Sequence, residues 1–285
     1  MATDMSGTQD SELSTQDSGR STQNSELRTQ NSYSTSELMV VCGARELQDG
    51  DVAVVGLGIP LLAAALAQRT HAPSLKALNE LGVADPRPRE QGVGNADPRL
   101  WYQAAFFGSF IDVMGTFLHR GIVDVGFLGA LEVDQYGNSN TTEIGTPDGG
   151  VRRLNGSGGA NDMASRAKRT VVIVRHERRK LVERVTYLTS PGYISGGRAR
   201  EEAGLGSGGP WRVLTDKAVL GFDENTRRVK LLSVHPGVTR EELCDCTGFD
   251  LDIPPDIPTT EPPTPEQVRL IREELDPKRM YTSND

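Results

Sequence analysis

Short apolar runs rich in β-branched residues recur through the first two thirds of this chain, with turn-forming glycines and asparagines after them and helix-forming segments between them. That alternation is the tightest constraint on the fold. Strand, turn and helix in repetition lead to parallel strands joined by crossovers, with helices on both faces. Asp51-Val-Ala-Val-Val55 reads as a strand, Gly56-Leu-Gly-Ile-Pro60 as the loop after it, and residues 61–69 as an Ala/Leu helix. Residues 75–79 read as a second strand and 121–131 as a buried strand region, with further strands at 170–174 and 185–188. From 211 to 234 short strands and turns follow one another with no helices between them, which looks antiparallel. The expectation is an α/β fold: an open, largely parallel sheet with helices on both faces and antiparallel elements towards the carboxyl end.

The remaining helices are read from their ends. Leu38, Val41 and Leu47 lie among helix formers and predict an amphipathic helix from about Glu37, ended by Asp49-Gly50. Residues 102–119 read as another. A last helix covers about 265–274, with Thr264 as its N-cap, Pro265 in the first turn and Gln267 completing a capping box. Residues 84–100 carry Pro86, Pro88 and Pro98 with Gly92, Gly94 and Asn95 between them, a row of turns of a length that is usually functional or mobile.

At the amino end a Thr-Gln-(Asp/Asn)-Ser unit recurs every seven residues, from Thr8, Thr15, Thr22 and Thr29. A heptad packs as a coiled coil only if two positions per repeat are apolar, and Leu13 and Leu27 are nearly the only apolar residues there. Such a segment buries too little surface to offset its ordering entropy. The organisation expected is a disordered, low-complexity tail over 1–35, one domain over 36–280, and a flexible carboxyl end over 281–285.

Charge and cysteine usage narrow the function. A net charge of −8 argues against nucleic acid as a partner, while a small anionic ligand needs only a local site. No apolar run approaches the roughly 18 residues that span a bilayer, and the first residues have no secretory pattern, so no membrane association is expected. Cys42, Cys244 and Cys246 are too few and too scattered for a disulfide framework, which makes a reducing cytoplasm the default location. Cys244-Asp-Cys246 has no second Cys/His pair to complete a ligand set, so no metal is expected.

Five segments could carry chemistry. The Gly56–Pro60 loop lies between a strand and a helix, where free backbone N–H groups can face an anion or oxyanion; a plain tight turn explains it equally. In Asn155-Gly-Ser-Gly-Gly-Ala-Asn161, small residues would let a backbone approach a ligand closely, or simply form a surface loop. Asp134-Gln-Tyr-Gly-Asn138-Ser-Asn140 is a turn signal that accounts for Gly137 and Asn138 but has no need of Asn140. Glu80, at the end of the 75–79 strand and just before Leu81-Gly82, is placed as a carboxylate at the mouth of an α/β crevice would be, although most such glutamates are merely solvated. Arg178, Arg179 and Lys180, after the 170–174 strand, could hold phosphates or line a solvated edge.

Taken in order, these segments resemble the β subunit of glutaconate CoA-transferase, a class I coenzyme A transferase. The stretches that carry the resemblance are Val55-Gly-Leu-Gly-Ile-Pro-Leu61, Ala72-Pro73 with Glu80-Leu-Gly82, Asp134-Gln-Tyr-Gly-Asn-Ser-Asn140, Gly156-Ser-Gly-Gly-Ala-Asn161, His176-Glu-Arg-Arg, Tyr187-Leu-Thr-Ser-Pro-Gly192, Val213-Leu-Thr-Asp-Lys217, Thr247-Gly-Phe-Asp-Leu-Asp252 and Leu270-Ile-Arg-Glu-Glu-Leu-Asp276. It runs from about residue 38 to 280.

The resemblance implies an open α/β fold, an α-type partner subunit, acyl-CoA and carboxylic acid substrates, and no permanently bound cofactor, coenzyme A being a substrate. It also implies a catalytic glutamate in a Glu-Ser-Gly sequence after a short strand. Glu80 falls there, with Leu81 in place of the serine. Oxyanion or CoA contacts would come from Gly56, Gly58, Asn140, Gly158, Gly159, Ala160 and Asn161, and phosphate contacts from Arg178, Arg179 and Lys180. Two other readings stay open: a subunit of a related hydrolase that opens steroid-ring CoA thioesters, with its carboxylate on the other chain, and a non-catalytic partner of an α subunit.

Overall fold

The computed structural model describes residues 33–283 except Gln91, Pro147 and Ser207. The repeats at the amino end, up to residue 32, and the last two residues lie outside the described residues. The domain begins slightly earlier than the sequence suggests. Helix α1 (Thr35–Arg45) is capped by the Ser34 side chain, and the Glu37 carboxylate reaches back to the Ser34 N–H, the reciprocal box that satisfies two orphan donors. Glu37 is also paired with Arg272 at 2.6 Å, which ties the first helix to the last segment of the chain.

The order then runs β1 (Val52–Val54), α2 (Ile59–Arg69), β2 (Lys76–Asn79), β3 (Val83–Ala84), β4 (Phe106–Phe107), a π-helical segment (Ile111–Leu118) and β5 (Val125–Gly129). Next come β6 (Glu132–Asp134), β7 (Ser139–Asn140), β8 (Glu143–Gly145), β9 (Val151–Arg153), α3 (Ala160–Arg166), β10 (Arg169–Ile173) and β11 (Leu181–Val182). The last part holds α4 (Ala199–Glu202), β12 (Pro210–Leu214), β13 (Ala218–Phe222), β14 (Val229–Val234), α5 (Arg240–Cys246), α6 (Pro265–Leu270) and a closing π-helical turn (Ile271–Leu275). The Thr264/Gln267 capping box is formed as the sequence predicts.

One nine-stranded sheet, in the order β14-β13-β12-β10-β5-β1-β2-β3-β4, organises the molecule. Its middle is parallel: β12, β10, β5, β1 and β2 all run the same way. Strand pleating sorts the side chains onto two faces. Ala53, Val55, Ala77, Val125, Phe127 and Val171 point to a core covered by α1, α2 and the end of the chain. Val54, Leu78, Leu128, Val172 and Val213 point to the other, with Val113, Met114, Leu118, Met163 and Ala164 packed over them. Being apolar on both sides is why these strands read as near-continuous hydrophobic runs.

Three expectations need correction. Antiparallel pairing occurs at both edges of the sheet, because β3 and β4 add to β2 in antiparallel register. Residues 102–119 are therefore not one helix: Phe106–Phe107 is an edge strand, and only Ile111–Leu118 is helical. The cause is a close backbone approach. Ala105 N–H donates to the Ala84 carbonyl and Gly108 N–H to the Gly82 carbonyl. Gly82, at φ +105°, sits so near Gly108 that a Cβ on it would lie 2.5 Å from the Gly108 carbonyl oxygen. Second, residues 185–188 form no strand. The Thr186 N–H donates to the Glu132 carboxylate at 2.8 Å, and the pairing segment is β11 instead.

Third, the carboxyl end is tied in beyond residue 280. The buried Asp276 carboxylate accepts the N–H groups of Met280, Tyr281 and Thr282 together with the Thr282 hydroxyl. Among the described residues, no helix is long and apolar enough to cross a membrane, and no group of three His, Cys, Asp or Glu side chains could hold a metal ion.

Candidate functional site

From β1 the chain steps one way to β2 and later the other way to β5. Strand order thus reverses at β1, and in open α/β sheets the crevice outside the carboxyl ends of strands at such a reversal is where ligands bind. Glu80 is the first residue beyond β2, on that rim and partly exposed. Its Oε1 accepts a hydrogen bond from Asn95 Nδ2 at 3.0 Å. Its Oε2 lies beside Gly159: a Cβ on that glycine would come within 2.8 Å of the oxygen and 2.7 Å of Met114 Cε. Any side chain at 159 would displace the carboxylate or the methionine. The turn under Glu80 is fixed locally, with Leu81 N–H donating to Asn79 Oδ1 and Gly82 N–H to the Asn79 carbonyl.

Asn95 belongs to the proline-studded 84–100 loop, which folds back over the end of β2. Four anchors hold it. Asn79 Nδ2 donates to the Asn95 carbonyl at 3.3 Å, the Asp97 side chain accepts from Val93 N–H, Leu100 is buried in the core, and the Tyr281 hydroxyl donates to the Gly92 carbonyl. Sequence reasoning did not select Asn95 or Met114. The only signal available was the length of the loop.

Two glycine loops flank the carboxylate. On the β1 side, the N–H groups of Gly56, Leu57 and Gly58 meet no acceptor among the described residues. Gly58 has φ +83°, and a Cβ on it would meet the Tyr281 ring at 3.6 Å, an ordinary contact. A small apolar pocket of about 30 Å3 opens beside this loop, lined by Val55, Leu57, Leu61, Leu78 and Leu100, with Asn79 and Asn95 on its rim. On the other side, Gly158 (φ +48°) and Gly159 lead into α3, and their N–H groups are likewise without an acceptor among the described residues.

Other candidates are engaged elsewhere. Asn140 is fully buried and donates both amide hydrogens, to Glu132 Oε2 and to the Glu143 carbonyl, each at 2.7 Å, so it is no free oxyanion donor. Ala160 N–H donates to the Ser157 carbonyl, and Asn161 Nδ2 spends one of its two hydrogens on the Thr189 carbonyl. The basic run lies apart, beyond β10 and three strands across from β2, roughly 14 Å at about 4.8 Å per strand. There Arg179 pairs with Glu177 at 2.6 Å, Lys180 approaches the same carboxylate at 4.0 Å, and Arg178 lines an open groove with Arg228 and Asp250.

His176 is structural. Its ring nitrogens meet the Thr215 and Thr247 hydroxyls at 3.0 Å, and burial pushes its pKa down to about 4. His235, bonded to Thr260 and the Thr215 carbonyl, is likewise pushed down to about 4 by burial.

Comparison with known proteins gives a consistent result. The sequence model of the coenzyme A transferase family matches residues 37–245. The B-type subunit of glutaconate CoA-transferase from Acidaminococcus fermentans is 36% identical over 258 residues, which is 88% of this chain and 95% of that one. The crystal structure of that enzyme superposes with a TM-score of 0.82 over 88% of this chain and 98% of the matched chain. The B-type subunit of 3-oxoadipate CoA-transferase from Pseudomonas knackmussii is 34% identical over 85% of this chain and 93% of its own length. A cholesterol ring-cleaving hydrolase IpdB subunit of Rhodococcus jostii is 27% identical over 85% of this chain and 89% of its own.

Proposed function

Since this chain belongs to the coenzyme A transferase family, as a β-type subunit, we propose that Glu80 is its nucleophile and that coenzyme A passes between carboxylic acids through a glutamyl-CoA thioester on that residue. The observation that carries the reading is the setting of the carboxylate. It stands at the carboxyl end of β2, one oxygen held by Asn95 and the other beside Gly159.

Glu80 Oε2 attacks the acyl-CoA carbonyl and expels CoA thiolate, leaving a mixed anhydride. The thiolate then attacks the glutamyl carbonyl and expels the first acid. A second acid enters and the steps reverse, so one difficult transfer is divided into easier ones. Each tetrahedral oxyanion needs positioned donors, which are worth about 3–4 kcal/mol apiece where measured. The N–H groups at Gly56, Gly58, Gly158 and Gly159, which meet no acceptor among the described residues, are the candidates.

The partner in this reading is an α-type subunit. Both transferase relatives are named as the B-type subunit of their enzymes. Leu81, Phe106, Phe107, Phe110 and Ile111 are exposed along the β4 edge next to Glu80, an apolar stretch of the kind that marks an interaction surface. The substrates are an acyl-CoA and a free carboxylic acid, with coenzyme A arriving as substrate.

The test is to incubate the two-subunit enzyme with acyl-CoA and no acceptor, reduce with borohydride, and examine peptide 77–87 by mass spectrometry. Reduction of the Glu80 thioester to an alcohol is expected in the native enzyme and not in Glu80→Gln. An adduct elsewhere, or hydrolysis of a ring-bearing CoA thioester without transfer, sinks the reading in favour of the hydrolase.

A further inference from the structure

The two oxygens of Glu80 are not equivalent. Oε1 is held by the Asn95 amide at 3.0 Å, whereas among the described residues Oε2 has no hydrogen-bond donor and lies beside Gly159, where a Cβ would come within 2.8 Å of it. Asn95 itself is held by its loop. Its carbonyl accepts from Asn79 Nδ2, the Gly94 carbonyl accepts from the Asp97 N–H, and the loop is pinned at Gly92 by Tyr281 and at Leu100 by the core. A donor held this way meets charge without reorganising, which is what makes a preorganised hydrogen bond effective in catalysis.

We propose that Asn95 is a catalytic residue of this transferase, acting as the side-chain donor to the oxyanion that forms on Glu80 itself. The inference rests on Glu80 being the nucleophile. Oε2 is the oxygen that attacks acyl-CoA, and Oε1 stays in the amide's grip as the carbonyl oxygen of the anhydride and then of the thioester. When CoA thiolate attacks Cδ, the S–Cδ bond forms and the C=O π electrons move onto Oε1, where the Asn95 N–H receives them. Collapse restores the carbonyl and breaks the Cδ–Oε2 bond, and the first acid leaves as its carboxylate. Attack of the second acid on the thioester repeats the sequence, with thiolate as the leaving group. No proton is consumed and nothing is oxidised. The hydrogen bond strengthens as charge builds on Oε1 of the neutral anhydride or thioester, so its main effect falls on turnover and little of it on binding.

The experiment uses the complete two-subunit enzyme and compares Asn95→Ala and Asn95→Asp with Glu80→Gln. Asn95→Asp keeps the shape and the backbone carbonyl that Asn79 holds but removes the donor. Both Asn95 variants are expected to melt within a few degrees of the native enzyme, lose about 100- to 1,000-fold in kcat, and keep KM for acyl-CoA within about threefold. Borohydride-trapped Glu80 adduct should form more slowly by a similar factor. Near-native kcat and adduct formation in Asn95→Ala, or a loss confined to KM, overturns the role of Asn95. If Glu80→Gln still transfers CoA, the underlying reading fails; if Glu80→Gln is inactive while Asn95→Ala is fast, only this inference does.

Discussion

Glu80 with Asn95 and Glu132 with Asn140 are the same chemical pair in two settings. Around Glu132 both oxygens are bonded: Oε2 takes the Asn140 amide at 2.7 Å and the Thr186 N–H at 2.8 Å, and Oε1 takes the Thr186 hydroxyl at 2.8 Å. Both residues are buried, and Asn140 Oδ1 accepts the Thr142 N–H in turn. Around Glu80 one oxygen has an amide and the other faces a glycine, with unpaired backbone donors nearby among the described residues. A closed network holds a turn in one shape, because breaking any bond in it strands a buried polar group. An open one leaves a carboxylate with an oxygen to react and donors for charge not yet present. Residue type does not separate the two; satisfaction does.

The sharpest way to break this comparison is to exchange the damage. Glu80→Gln should lower CoA transfer by about four orders of magnitude or more while the melting temperature hardly moves, because the site loses a nucleophile but keeps its shape. A matched transfer assay and thermal melt will show it, and retained transfer would mean that Glu80 is as structural as Glu132.

The buried histidines, whose ring nitrogens are likewise all bonded, should fail through stability. His176 and His235 stay neutral in the fold until about pH 4, whereas an unfolded imidazole takes a proton near pH 6.5. The unfolded chain therefore binds more protons between those values, so the contribution of the two rings to stability is flat above about pH 6.5 and falls as the pH drops towards 4. The loss is on the order of 3 kcal/mol per ring. Denaturant titrations across that range will read it. His176→Gln with His235→Gln should flatten the slope, and an unchanged slope would remove the two rings as its source.

Asn140→Ala comes next in size. Leaving Glu132 and the Thr142 N–H short of partners should cost about 3 kcal/mol, a fall in Tm on the order of 10 °C for a chain of this size. Activity per folded molecule should stay near native at low temperature. A kcat loss without a Tm loss would move Asn140 back among the oxyanion donors.

The smallest effect concerns the amino end. Removing residues 1–32 should change neither activity nor Tm. Starting instead at Glu37 deletes the Ser34 cap and should cost about 1 kcal/mol, visible in a melt as a few degrees.

These contrasts also mark how far the sequence could be read. The parallel centre was legible because β1, β5 and β10 are buried on both faces and so carry unbroken apolar runs. The β3–β4 edge was not: its strands are two residues long, and Phe106 and Phe107 sit in a helix-like stretch whose extended shape depends on Gly82 touching Gly108. Glu80 could be picked out as a candidate from its place after a strand and in the order of motifs. Asn95 could not, since only the folded path of its loop brings it back to β2. Asn140 was over-read for a related reason: sequence shows that an amide is present, but not whether its hydrogens are already taken.

Tyr281 gives the molecule an order in time. Its ring lies against Gly58 and its hydroxyl holds Gly92, so the loop after β1 and the 84–100 loop are both braced by a residue made long after them. A ribosome adding about 10 residues per second reaches Tyr281 about 20 s after Gly58. The sheet and its helices can assemble during that interval, but the brace cannot. A nascent chain therefore carries its glutamate before it has the finished cleft.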